Sequence, residues 1–393
     1  LWGGAGDPVM TTLLEELPRS DIVDGALHPS QTPVLFGQST ATEQFLNAFN
    51  VGRLHHAWLV TGARGIGKAT LTWQIAKFLL TTPDPSEASG LFGAPEPAAS
   101  LTIDPAHPIC SRINAGSEPG VIAIRRAFDE KRKRFRQMIT VDEIRKLKSF
   151  FNLSATDAGR RIVIVDCAED MNANAANALL KILEEPPKNA YLFLISHQPA
   201  KLLPTIRSRC RELRLKELTP LHVAQALEAA ATDMTAVDLN ALALLSGGSV
   251  GEAVKLMNLN GLDLYQKILD ILEALPRLEN DKVISISDRF TTPSSSGEFE
   301  FFVSLLELSL NRLSLSGAKT EQDVKQSIFN ETSVFSRLCP NRQAAIQWAE
   351  LTQELSARLR RGHAVNLDAS ALILDTFFQI EACAARTAQS SEA

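Results

Sequence analysis

Thr61-Gly62-Ala63-Arg64-Gly65-Ile66-Gly67-Lys68-Ala69-Thr70 follows an apolar run, His56 to Val60, and opens into a helix-like run from Ala69 to Leu80. Strand, glycine-rich loop and helix in that order are the setting of a phosphate-binding loop. Gly62, Gly65 and Gly67 let the backbone turn tightly and aim N–H groups at an anion. Lys68 is placed to reach terminal phosphates, with the positive end of the next helix adding to the attraction. The pattern G-x-x-x-x-G-K-[ST] then asks for a hydroxyl to hold Mg²⁺, and Ala69 offers a methyl. Thr70 is the nearest hydroxyl, but one residue along a helix is a turn of about 100°, which points it elsewhere.

Outward from this loop, about Val34 to Leu215 alternates short β-branched runs with helical patterns, the mark of a three-layer α/β domain with a parallel sheet. Arg161-Ile-Val-Ile-Val-Asp166 and Ala190-Tyr-Leu-Phe-Leu-Ile-Ser196 are apolar on both faces, as buried parallel strands are. Between them Asn174 to Glu185 reads as a helix with an apolar face through Ala175, Leu179, Ile182 and Leu183, stopped by Pro186-Pro187. Thr140 with Glu143 predicts a capping box at another helix start. Residues 81–120, rich in Pro, Ser, Ala and Gly, read as an insertion. After Leu215 the strand signals stop and helical patterns continue to about Arg386. The expected organisation is a flexible lead-in (1–31), an α/β nucleotide-binding-like domain (32–215), a small helical unit (216–261) and a helical domain with a flexible end (262–393).

A formal net charge of −5 over 393 residues argues against a protein that coats nucleic acid by itself, though not against a local basic face. The cysteines, at 110, 167, 210, 339 and 383, include no CxxC pair, which suits reduced thiols in the cytoplasm. Neither a transmembrane run nor a signal-peptide pattern is apparent.

Asp166, at the end of an apolar strand, is the natural acidic partner for a metal and phosphate; it also suits a plain charge capping a strand end. Cys167 follows, a poor general base. Glu169 lies beyond the strand end and need not face the same site.

His55 to Lys68, Ile164-Val-Asp166, Asn174-Ala-Ala-Asn-Ala-Leu-Leu-Lys-Ile-Leu-Glu-Glu-Pro-Pro187 and Leu203-Pro-Thr-Ile-Arg-Ser-Arg-Cys210 occur in one order and spacing. Together they resemble the delta-prime subunits of bacterial DNA polymerase III clamp loaders. The likeness covers about residues 34–260 well and the rest only as a helical segment of suitable length. It implies an AAA+ module, a helical lid and a helical collar through which five subunits form an open ring with gamma/tau and delta partners. That ring loads the sliding clamp on primed DNA. The chain would then be a non-catalytic member of a polymerase holoenzyme, with no membrane association.

Three departures bear on its own nucleotide chemistry. Ala69 replaces the metal hydroxyl, Cys167 replaces a water-orienting glutamate, and Gly251 stands where active relatives place an arginine in Gly-Ser-x-Arg. The resemblance therefore implies a site at Gly62, Gly65, Gly67, Lys68, Thr70 and Asp166 that binds ATP or ADP poorly or holds it without turnover. It assigns Arg209 to a neighbouring subunit's ATP site, where an arginine stabilises charge that develops during phosphoryl transfer. The bland alternative is a surface arginine paired with a carboxylate. Relatives' four-cysteine zinc module is reduced to Cys110, so no zinc is expected. An active gamma/tau-like motor is the competing reading, supported by Gly62, Gly67 and Lys68; a stand-alone nucleotide-dependent DNA-binding switch is a third. Asp129-Glu-Lys-Arg-Lys-Arg-Phe-Arg136 reads as a solvated loop or a DNA-phosphate contact. Lys181, Glu184 and Glu185 suit either an exposed helix face or a contact with a subunit or DNA. His55 and His56 read as packing or hydrogen-bonding residues.

Overall fold

The computed structural model describes residues 18–85, 96–152, 159–230, 236–290, 296–317 and 327–392. Its chain falls into two units. The first runs through Lys216, except for Val23–Ala26 and Arg64–Ile66, which group with the second.

Among its described residues the first unit has seven strands: β1 (Ala57–Thr61), β2 (Val121–Ile124), β3 (Phe128–Asp129), β4 (Arg134–Phe135), β5 (Arg161–Asp166), β6 (Ala190–Ser196) and β7 (Arg211–Arg214). Five of them form one parallel sheet in the order β2-β5-β6-β1-β7. The two runs expected as buried strands are β5 and β6, side by side, with Asp166 opposite Ile195. Parallel strands need helical crossovers, and those cover both faces of the sheet. Alternate residues of β1 divide between these layers. Ala57 and Leu59 face a core shared with Ile144, Leu147, Leu179 and Leu183, from α4 (Val141–Asn152) and α5 (Ala173–Glu184). Trp58 meets Phe45 of α1 (Ser39–Asn50), ring centroids 5.4 Å apart, on the side that carries α2 (Lys68–Thr81). Two short helices, α3 (Pro108–Asn114) and α6 (Pro204–Arg207), complete the unit.

Three local expectations change. Residues 18–31, expected as part of a mobile lead-in, are held in place: His28 is 8% exposed. Its Nε2 lies 3.0 Å from Asp21 Oδ2 and its Nδ1 2.8 Å from Ser30 Oγ. The rest of that lead-in, 1–17, lies outside the described residues. Helix α4 begins where expected but without a side-chain capping box: Thr140 Oγ1 is buried without a hydrogen-bond partner, and Glu143 pairs forward with Lys146 at 2.5 Å. The basic run is a hairpin, β3 paired antiparallel with β4.

The second unit is helical: α7 (Pro220–Ala230), α8 (Ala236–Leu245), α9 (Val250–Asn258), α10 (Gly261–Ala274), α11 (Asn280–Ser287), α12 (Ser296–Ser316), α13 (Glu331–Leu338), α14 (Arg342–Ala364) and α15 (Ala369–Glu392). The apolar core runs continuously from Leu218 to Ala384, through Tyr265, Phe302, Trp348 and Phe377. No described helix is long and apolar enough to cross a membrane.

Candidate functional site: the glycine-rich loop and the Arg209 corner

The loop leaves the carboxyl end of β1, an interior strand between β6 and β7, on the side of the sheet at which ligands of open parallel sheets gather. Gly62, Gly65 and Gly67 all have positive φ, at 139°, 74° and 99°. Lys68 opens α2 and is 3% exposed; its Nζ donates to Gly62 O at 2.8 Å and to Ala63 O. The ammonium is thus satisfied by the loop's own carbonyls. Ala69 and Thr70 follow in the first turn of α2, with no side-chain oxygen at position 69 and the Thr70 hydroxyl about 100° further round.

Asp166 ends β5 half-buried, and close packing round its carboxyl drives the pKa up to about 6. Burial is the main cause; the nearby Asp21 carboxylate adds to it, and bonds from Cys167 together with Lys68 pull the other way. Asp21 itself is held below the usual carboxylate range: burial would raise it, but His28 and Arg125 outweigh that, Arg125 at 2.9 Å.

Cys167 adopts a left-handed backbone (φ 61°, ψ 73°), and its Sγ lies 3.2 Å from His197 Nε2. Glu169 does not replace the missing base. Its Oε1 accepts from the backbone N–H groups of His197 (2.8 Å) and Gln198 (3.2 Å), capping the chain after β6. Sequence reasoning missed His197. The register that pairs Asp166 with Ile195 brings the residues after both strand ends together, a signal available only once the strands are aligned.

The loop tip, Arg64–Ile66, groups with the second unit, and there its contacts are with the start of α9. Ser249 Oγ accepts from Glu252 N at 3.1 Å, capping that helix, and donates to Arg64 O at 2.9 Å. Gly251 N donates to Gly65 O at 3.2 Å. A Cβ on Gly251 would stand 3.0 Å from Gly65 Cα, and one on Gly65 would stand 2.3 Å from Ser249 Oγ. Two glycines are what allow these backbones to meet.

The three glycines give the loop a tightly turned backbone, and Lys68 Nζ is engaged by its carbonyls. The donor set does not fit the metal that accompanies a hydrolysable nucleotide: position 69 has no side-chain oxygen, and Asp166 is a carboxyl whose pKa is raised toward neutrality. Among the described residues, no group of three or more His, Cys, Asp or Glu is arranged to hold a metal ion. Cys110 is buried in α3, at 2% exposure.

Arg209 lies two residues beyond the end of α6. Its side chain is 37% exposed, with one nitrogen 2.9 Å from Glu184 Oε1 and another donating to Thr205 O at 3.0 Å. The neighbouring Cys210 thiol is pushed up to about 12 by burial, so it is inert as a thiolate source. Lys181 on α5 and Glu185 just past its end are exposed. His55 and His56 stack with centroids 4.4 Å apart and bond to backbone groups, His56 to Leu183 O at 3.1 Å.

The parallel sheet, the glycine-rich loop after β1 and the flanking helices make an α/β module that carries a P-loop motif. Residues 37–219 match the family described as DNA polymerase III, delta subunit. A delta-prime subunit of Pseudomonas aeruginosa is 36% identical over 234 residues, covering 58% of this chain and 62% of that protein. One from Bacillus subtilis is 29% identical over 245 residues, covering 62% and 67%. A gamma subunit of Buchnera aphidicola is 30% identical over 191 residues, covering 49% and 46%. The match thus spans less than two thirds of the Pseudomonas protein. Over this module the chain is similar to delta-prime and gamma subunits of DNA polymerase III.

Proposed function

We propose that the chain acts as the delta-prime subunit of a DNA polymerase III clamp loader. In this reading it assembles with gamma/tau and delta subunits into a five-membered ring that loads the sliding clamp on primed DNA. Its own site holds ATP or ADP without turnover, or binds it poorly. Arg209 reaches a neighbour's ATP site and stabilises the transferring phosphoryl group. The observation that carries this reading is the outward setting of the Arg209 guanidinium. It rests against one half-exposed carboxylate, Glu184, an attachment of the surface kind that is worth about 0–1 kcal/mol and is easily exchanged for a phosphate. Ala69, Cys167 and Gly251 support the other half of the reading, that turnover belongs elsewhere.

The test is clamp- and DNA-stimulated ATPase of the reconstituted loader. Arg209→Ala should lower the rate severalfold or more, since an arginine in this role is worth about 10³–10⁵ at the site it serves. Lys68→Ala in this chain should leave the rate within about twofold. The opposite pattern would favour a gamma/tau-like motor, a reading supported by the retained Gly62, Gly67 and Lys68 and by the gamma relative.

A further inference from the structure

The basic run departs from the loop expected of it. Phe128 and Phe135 stand opposite each other in the β3–β4 pair, ring centroids 5.4 Å apart and edge to face. Arg136 N donates to Ala127 O at 2.8 Å below them, and Arg126 pairs with Asp170 at 3.3 Å near the base. At the tip, Asp129 Oδ1 accepts from the N–H groups of both Lys131 and Arg132, each at 3.1 Å. That carboxylate, the one facing Arg134 across the hairpin, is therefore committed to closing the turn. Lys133 takes the left-handed conformation (φ 48°) that completes it.

The outcome is a small braced platform with Lys131, Arg132, Lys133, Arg134 and Arg136 all exposed. None of the ion pairs among the described residues uses any of these five. Elsewhere exposed cations behave differently: Arg145 and Lys146 on α4 pair with Asp142 and Glu143. Five cations within six positions repel one another, and a chain of net charge −5 has carboxylates to spare for them. A run left unpaired on a hydrogen-bonded hairpin is suited to a ligand of dense, evenly repeated negative charge.

We infer that the β3–β4 hairpin is a phosphate-backbone contact for nucleic acid, gripping the primed duplex without reading its sequence. Duplex DNA carries one charge per about 1.7 Å of axis, so a strand pair offers several phosphates to a tip of this size. Guanidinium forks at 132, 134 and 136 suit phosphate oxygens, and Lys131 and Lys133 add point charges. Contacts of this type fix position and carry no base information. An acidic protein surface presents fewer, fixed charges and would leave part of the run unmatched. The choice of DNA as the polyanion rests on the proposed replication role; the platform and its unpaired charge do not.

The test is fluorescence anisotropy of the full chain with a labelled primer–template duplex over a salt series. The variant is Lys131→Gln with Arg132→Gln, Lys133→Asn and Arg134→Gln, asparagine being chosen for its tolerance of positive φ. Affinity should fall at least about tenfold near 0.1 M salt, and the slope of log K against log salt should flatten by about 3 to 4. A second variant, Arg145→Gln with Lys146→Gln, should change neither. Circular dichroism of both variants checks that they fold. Undetectable binding by the unaltered chain, or an unchanged slope in the hairpin variant, would overturn the inference. Because Arg209→Ala in the ATPase assay leaves the hairpin intact, that measurement fails or succeeds separately from this one.

Discussion

Asp166 shows how a half-buried acid at a strand end sets a pH response. Its folded-state pKa of about 6 stands above the ordinary 3.8, so between those values the folded protein holds a proton that the unfolded chain has lost. Stability therefore falls as pH rises from about 4 to about 6 and stays lower above that. A shift of this size corresponds to roughly 3 kcal/mol in full, and solvent screening of a half-buried group reduces it to on the order of 1–2 kcal/mol. Asp166→Asn should remove the decline: thermal melts at pH 4 and pH 7 should converge for the variant and differ for the parent. Equal pH dependence in both would mean that Asp166 is not the group responsible. Gly65 provides the steric counterpart. With φ of 74° and Ser249 Oγ only 2.3 Å from the place of a Cβ, Gly65→Ala must move the start of α9 or unwind the loop. A loss of about 1–3 kcal/mol is expected, read as a lower melting temperature.

At the scale of elements, α10, α12 and α13 are joined by one buried polar cluster. Glu331, its side chain 3% exposed, accepts from Arg312 Nε at 2.9 Å and from a second guanidinium nitrogen at 2.6 Å. It also accepts from Ile328 N at 3.0 Å and from the Tyr265 hydroxyl. Burial, with Glu331 next to it, pushes the Tyr265 hydroxyl well above its usual range, so it stays a donor at every relevant pH. Arg312→Ala leaves the carboxylate buried without its counter-charge and should cost about 3–5 kcal/mol. Tyr265→Phe removes one donor among several and should cost about 1 kcal/mol. Urea midpoints of the two variants check the ratio; equal losses would mean that the ion pair is not the dominant bond. The strands and the helix before Pro186 were legible because their cues are local: β-branched runs, 3.6-residue spacing and a proline stop. The hairpin was not, since strands of two residues carry no period. The order about Asp21, His28 and Arg125 was hidden too, because it joins positions 104 residues apart through a segment whose composition reads as loop. For the candidate site the loop glycines and Lys68 were readable from spacing. The meeting of Cys167 with His197, and of Gly65 with Gly251, depends on register and packing that no single segment encodes.

Across the whole molecule the apolar interior is divided. In the first unit the sheet is sandwiched between helices, with Phe193 and Trp58 fully buried; in the second, the helices enclose a separate core through Trp348 and Phe377. Each core has enough length around it to fold cooperatively by itself. Tryptophan offers a reporter for each: Trp58 and Trp73 lie in the first unit and Trp348 in the second. With Trp2 and Trp348 changed to Phe, fluorescence follows the first unit alone; with Trp2, Trp58 and Trp73 changed, it follows the second. Phe193→Ala removes a buried ring and should cost about 3–5 kcal/mol. It should move the denaturant midpoint of the first reporter and leave the second within experimental error. Phe377→Ala should do the reverse. If either substitution shifts both midpoints together, the two cores unfold as one cooperative body, and the stability of the glycine-rich loop is then tied to that of the helical unit as a whole.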